Sequence, residues 1–326
     1  PSVSETLDWA TALEAALVGR ANLHRPDELA TLLTQALHTP GFSLIGVTQD
    51  ETLPTGVRER PRAARLVPGD RPAGVLTTGA LQQFAALHHQ RVGTRAVIMG
   101  AEHVSFSAVL TLAHGGCTVA AMVTPLPRHQ AYAPLRVATA ARHRVPIHTG
   151  VAVAEIVGGA RVEAVVLSDG RRIECDTVVF TGDWVPNHEL ARLSGLPLLP
   201  GARSPVVDSG GHTERRGVFA IGNLTHPAET ADVCALDGRR AATHVMDWLT
   251  LQRWPASVTP IAVEPPILWA THAAGSITLR VAEFVEGRIE CRAGDEIVHR
   301  TKHRQWTPNR AIHLPMVTAT SICMSR

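Results

Sequence analysis

Between residues 92 and 181 short apolar strands alternate with helices until a β-meander interrupts them. Ala96-Val97-Ile98-Met99 reads as a buried strand, Val104 to His114 as a helix, Thr118 to Val123 as a second strand and Ala133 to Arg144 as a second helix. Gly115-Gly116 breaks the chain between the first helix and the strand that follows. Val151 to Val157, Val162 to Leu167 and Arg172 to Cys175 then form the meander, with a turn at Ser168-Asp169-Gly170, and Thr177 to Phe180 returns as a strand. Strands that alternate with helices imply a parallel sheet with helices laid on it.

This order argues for a Rossmann-like α/β domain. A second strand-turn-helix stands further along, in GVFAIGNLTHPAETADVCALDGRRAA from Gly217 to Ala242. It comprises the strand Val218 to Ile221, the pair Gly222-Asn223, Pro227, and a long helix running to Leu249. Pro255, Pro260, Pro265 and Pro266 punctuate a linker, after which Ile277, Leu279 and Val281 alternate as one face of a strand. Arg288 to Arg292 reads as another strand, with turns at Gly287 and Gly294-Asp295, so the tail is expected to be a small β module. At the other end Leu7 to Val18 and Pro26 to Leu37 have helical spacing and Phe42 to Val47 reads as a strand.

Composition removes several classes of function. Hydrophobic residues make up 45% and charged residues 18% of 326, as in an ordinary globular protein. The net charge of +2 is mixed along the chain, so no nucleic-acid surface is expected. Cys117, Cys175, Cys234, Cys291 and Cys323 stand singly with no C-x-x-C, which suits a reducing compartment and leaves no redox-active disulfide. No leader and no membrane-length apolar run is read, so the cytoplasm is the expected location. Among seventeen histidines the closest groupings are His88-His89, His143 with His148, and His299 with His303. None has Cys or carboxylates at ligand spacing, and no metal site is expected.

The Gly217–Ala242 run resembles the last flavin-contacting segment of the pyridine nucleotide-disulfide oxidoreductase superfamily, flavoproteins with two dinucleotide-binding domains. In those proteins the strand ends in Gly-Asp, whose carboxylate accepts a bond from the flavin ribityl chain. Asn223 stands at that position, and its amide oxygen can still accept while the charge assistance is lost. The resemblance implies that the helix N-terminus near Ala231 and Asp232 faces the flavin ring, where its dipole stabilises negative charge. Thr55-Gly56 and Thr181-Gly182 resemble the two crossovers between the FAD and NAD(P) domains. These flavoproteins also open with a G-x-G-x-x-G turn that holds the FAD pyrophosphate. The first fifty residues here hold only Gly19, Gly41 and Gly46, so the FAD domain is expected to be incomplete.

Gly100-Ala101-Glu102-His103-Val104-Ser105 occupies the G-x-G-x-x-G position of the NAD(P) domain. Gly100 keeps the first glycine, whereas Glu102 and Ser105 replace the second and third. A carboxylate beside a pyrophosphate costs about 1–4 kcal/mol at surface dielectric, so no tight binding of NAD(P) is expected. The expected organisation is a helix-helix-strand block at 1–53, a crossover segment at 54–91, an NAD(P)-type Rossmann domain at 92–181, the closing part of the FAD domain at 182–254, and linker plus β module at 255–326.

Within the superfamily, stretches such as RERPRAARLVPGDRPAGVLTTGALQQF and RRIECDTVVFTGDWVPNHELARL are similar to flavoprotein subunits of amine and amino-acid dehydrogenases or oxidases. Sarcosine oxidase, opine oxidase, proline dehydrogenase and hydrogen cyanide synthase have such subunits. The resemblance implies an FAD-dependent oxidoreductase acting on the C–N bond of a small amine or amino acid. Its electrons would pass to a partner subunit rather than to NAD. The competing expectation is a truncated, non-catalytic flavoprotein with a structural or assembly role. No nucleic acid or membrane is expected as a partner.

Overall fold

The computed structural model describes residues 43–46, 67–70, 72–182, 184–273 and 275–325. The chain divides into two compact units, Pro1–Asp50 with Trp184–Arg326, and Glu51–Asp183. The first strand, β1 (Ser43–Gly46), belongs to the former; the helical spacing read at 7–18 and 26–37 lies outside the described residues.

In the Glu51–Asp183 unit, β2 (Val75–Thr77), β3 (Arg95–Met99), β4 (Thr118–Thr124), β5 (Ile147–Thr149) and the later β9 (Thr177–Phe180) form a five-stranded sheet in the order β2-β9-β3-β4-β5. Every neighbouring pair in it is parallel. Parallel strands need crossovers, and these are the helices His103–His114 and Ala133–His143. The meander β6 (Val153–Gly158), β7 (Val162–Leu167) and β8 (Arg172–Glu174) is antiparallel.

The unbroken apolar character of the central strands follows from their two covers. Ala96, Ile98, Met122 and Val179 pack with Phe106, Val109 and Leu112 of the first helix. Their neighbours Val97, Ala121, Val123 and Val178 point the other way, onto Val153, Val165 and Leu167 of the meander. Each fully buried side chain of this size contributes about 1.5–3 kcal/mol. Asp176 fastens the strand starts by accepting from the N–H groups of Thr94 and Arg95 and from the Thr94 hydroxyl. Burial raises its carboxyl, but these bonds outweigh burial and hold it down at about 2.

In the other unit β1 pairs in parallel with β10 (Val218–Ile221), Ser43 opposite Val218 and Gly46 opposite Ile221. The helix Ala231–Leu251 buries Cys234, Asp237, Gly238, Ala241, Ala242, Val245 and Trp248, the spacing of one helical face. It ends where Gln252 takes a left-handed conformation at φ +53°.

The tail is the β module. Strand β11 (Ala262–Val263) lies beside β18 (Ser321–Ser325), β14 (Val285–Ala293) and β15 (Glu296–Arg300), and β16 (Arg304–Trp306) also pairs with β14. Strands β12 (Ile267–Ala273), β13 (Ser276–Val281) and β17 (Ile312–Pro315) form a three-stranded sheet. Ile277, Leu279, Ile289, Trp306 and Ile322 make its core. On β13 the alternation read from sequence holds, but the opposite face is buried too, through Thr278 and Arg280.

Candidate functional site

The structure gathers the candidate residues into two groups, one in each unit. Thr55 and Gly56 lie outside the described residues.

The first group surrounds the start of the His103–His114 helix. β3 ends at Met99, Gly100 turns the chain at φ +140°, and Glu102 becomes the helix N-cap. Glu102 and Ser105 form a capping box, in which the carboxyl receives the Ser105 N–H while Ser105 Oγ receives the Glu102 N–H at 3.2 Å. Ser105 Oγ lies 2.6 Å from Thr181 Oγ1, and the Thr181 hydroxyl donates to Met99 O at 3.0 Å. Thr181 and Ser105 both bond the Glu102 side chain. A Cβ added at Gly182 would meet the same carboxyl at 4.0 Å. Only 1% of Glu102 is exposed, and its Oε1 has no hydrogen-bond partner. Burial pushes this carboxyl above the ordinary carboxylate range, against the bonds from Thr181, Ser105 and the local backbone. A Cβ on Gly100 would collide with Thr181 Oγ1 and crowd Glu102, so the surviving glycine is required by the protein's own packing.

These residues do not fit a dinucleotide pyrophosphate as they stand. The helix-terminal position that would take phosphate is filled by a side chain of the chain itself.

The second group follows β10. Gly222, at φ +66°, begins a short 3-10 turn over Gly222–Leu224. Asn223 is spent on local structure: its Oδ1 accepts from the Glu229 N–H at 2.8 Å and its Nδ2 donates to Glu229 O at 3.2 Å. The amide thereby closes the loop that delivers the chain to Ala231. The oxygen read from sequence as an acceptor for a ribityl hydroxyl keeps one lone pair for that use. Thr230, the residue at the helix N-cap, makes no side-chain bond to the first-turn amides around Ala231 and Asp232. This end fits an electron-rich flavin ring. For the pyrophosphate end, Val47-Thr48-Gln49-Asp50, which follow β1 in sequence, contain no glycine and lie outside the described residues.

Three residues that sequence reading passed over hold this loop. Asp237, buried on the helix, accepts from the Gly222 N–H at 2.7 Å and meets His226 Nε2 at 3.0 Å. His226 is fully buried, and its Nδ1 has no partner. Arg280 of β13 is 4% exposed and donates to the carbonyls of Pro227, Ala228 and Asn309. It pairs with Glu229 at 3.3 Å and lies over the Trp184 ring at 4.8 Å. Asp237 was legible as an acid on the apolar stripe of its helix. Arg280 carries no local signal, since its partners lie 29 to 53 residues away in sequence.

A small solvent-open depression lies beside this loop, with Asp208, Thr225, Asp237, Arg240 and His272 on its walls. Burial lowers the His272 pKa, with Asp208 opposing. Among the described residues no group of three or more His, Cys, Asp and Glu side chains could hold a metal ion. Among them, too, no helix is long and apolar enough to cross a membrane.

The profile of the pyridine nucleotide-disulphide oxidoreductase family matches residues 53–246, and the chain belongs to that family of oxidoreductases. It is 31% identical over 150 residues to the ferredoxin reductase component of chlorobenzene dioxygenase from Cupriavidus sp. (strain PS12), covering 44% of this chain and 33% of that one. It is 35% identical over 83 residues to the ferredoxin–NAD(+) reductase component of a biphenyl dioxygenase system from Paraburkholderia xenovorans (strain LB400), covering 26% and 20%. Thioredoxin reductase from T. acidophilum superposes with a TM-score of 0.46 at 22% identity over 55% of this chain and 59% of that one. The chain spans about a third or less of the length of the curated relatives it matches.

These relatives correct the expectation of amine or amino-acid oxidation. The superfamily resemblance stands, but the matched proteins are named as ferredoxin reductase components, not as C–N oxidising subunits. The features read at Gly222–Asn223 and at the crossovers resemble the superfamily as a whole. They report nothing about which bond a substrate offers, and no amine substrate is supported. The exclusion of NAD(P) drawn from Glu102 finds no support among them either, since one relative is named as a ferredoxin–NAD(+) reductase component.

Proposed function

We propose that this chain is part of an FAD-dependent reductase that takes electrons from a reduced nicotinamide nucleotide and hands them to a ferredoxin-type partner. The observation that carries the reading is the β10–Gly222–Asn223–helix segment, whose helix has no side-chain cap from Thr230, inside a chain of this family. The names of the relatives supply the direction of electron flow and the class of partner. Bound FAD would supply the step between a two-electron donor and a one-electron acceptor.

The chain's own contribution is positional. Asp237 holds the Gly222 N–H, Asn223 holds the loop to Glu229, and Arg280 fixes Pro227 and Ala228, so the amides at Ala231 and Asp232 face one fixed direction. Preorganised amides stabilise negative charge on the ring without reorganising when it arrives.

The test is reduction of a plant-type [2Fe–2S] ferredoxin by the purified chain with FAD and NADH or NADPH, followed by loss of the ferredoxin's visible absorbance. FAD-dependent reduction is expected. Bleaching that is equal with and without the chain would overturn the reading.

A further inference from the structure

The Glu51–Asp183 unit has the strand-turn-helix of a dinucleotide domain but fills the place where a diphosphate would rest. We infer that Glu102 sets nucleotide acceptance in this unit: its carboxyl holds the diphosphate position at the N-terminus of the His103–His114 helix, and a nicotinamide dinucleotide enters only by displacing it. The inference rests on the reductase reading for the identity of the ligand.

Two independent observations support it. The amides and hydroxyls that an incoming phosphate would use are already engaged, the Ser105 N–H and hydroxyl with the carboxyl, the Thr181 hydroxyl with Met99 O beside that carboxyl, and the Glu102 N–H with Ser105 Oγ. Yet the occupant is incompletely satisfied, because Glu102 Oε1 is buried with no partner. An unpartnered buried acceptor is held at a cost, which makes the side chain displaceable. Gly100 and Gly182, on either side of the carboxyl, leave no side chain of their own in its place. Glu102 itself sits at φ −98°, so substitution there introduces no backbone strain.

The experiment is calorimetric titration of the full chain, as parent, Glu102→Gln and Glu102→Gly, with ADP-ribose and with NADH near neutral pH. Glu102→Gly, which returns glycine to the second motif position, is expected to bind ADP-ribose at least about tenfold tighter than the parent. Glu102→Gln, which keeps the shape and cannot ionise, is expected to fall between them, with NADH in the same order. Equal affinity for NADH in parent and Glu102→Gly would overturn the inference. So would a folded Glu102→Gly that binds neither ligand. Should Glu102→Gly fail to fold, the absence of any gain in Glu102→Gln overturns it instead. FAD uptake measured on the same preparations reports on the reductase reading separately, since Glu102 lies in the other group of residues.

Discussion

Arg280→Met should loosen the loop that delivers the chain to the Ala231–Leu251 helix, at a measurable cost in stability. The guanidinium donates to three backbone carbonyls, pairs with Glu229 and stacks over Trp184, while only 5% of its side chain and 9% of that of Glu229 are exposed. Methionine fills similar volume but leaves the Glu229 carboxylate buried without its cation. Removing one partner of a buried pair costs about 3–5 kcal/mol. For a unit of this size each kcal/mol lowers the melting temperature by about 2–4 °C. The expected drop is therefore roughly 6–20 °C, read by circular dichroism or calorimetry. Glu229→Gln placed on top of Arg280→Met removes the stranded charge and should recover part of that loss, with a coupling of about 1–3 kcal/mol. An Arg280→Met protein melting within about 1 °C of the parent would refute the clamp, because stranding a buried carboxylate cannot leave the melting temperature so nearly unchanged.

Other predictions concern buried ionisable groups. Glu102 has its pKa raised by burial above the ordinary 4.5, so the folded state keeps a proton that the unfolded chain gives up. Stability from this group is therefore complete at low pH and lost as pH rises above the ordinary carboxylate range; Glu102→Gln should gain melting temperature relative to the parent as pH rises through that range, and a constant difference would contradict it. Asp237→Ala removes the acceptor of the buried Gly222 N–H and should cost about 1–3 kcal/mol, with faster hydrogen exchange at Gly222 as the specific readout. Burial raises the thiols of Cys117, Cys175 and Cys291 to about 11, so native labelling at mildly alkaline pH should modify the half-exposed Cys323 first and these three only on unfolding.

How much was legible in the sequence depended on the range of the forces involved. Val162–Leu167, Thr177–Phe180 and Val218–Ile221 have the bounds that their apolar runs imply, because local patterning and burial agree there. The Ala231–Leu251 helix extends two residues past Leu249, to where Gln252 turns left-handed, a stop no glycine announces. β5, only three residues long at Ile147–Thr149, is not legible, since its order comes from pairing with β4 and not from its own pattern. At the candidate site, substitution of Glu102 for a motif glycine was readable, but its burial, its capping role and its tie to Thr181 were not. Asn223 was readable as a changed ligand position, whereas its use in closing the loop to Glu229 required coordinates. Arg280 reaches that loop from another sheet, and one-dimensional periodicity does not record such a contact.

The visible absorption spectrum of the purified chain, taken after incubation with FAD and desalting, tests the central claim most directly. Retained flavin bands, with a spectrum shifted from that of free FAD, are the predicted result. A colourless protein that holds no FAD at any concentration tried would contradict the account of this chain as a flavin-dependent reductase.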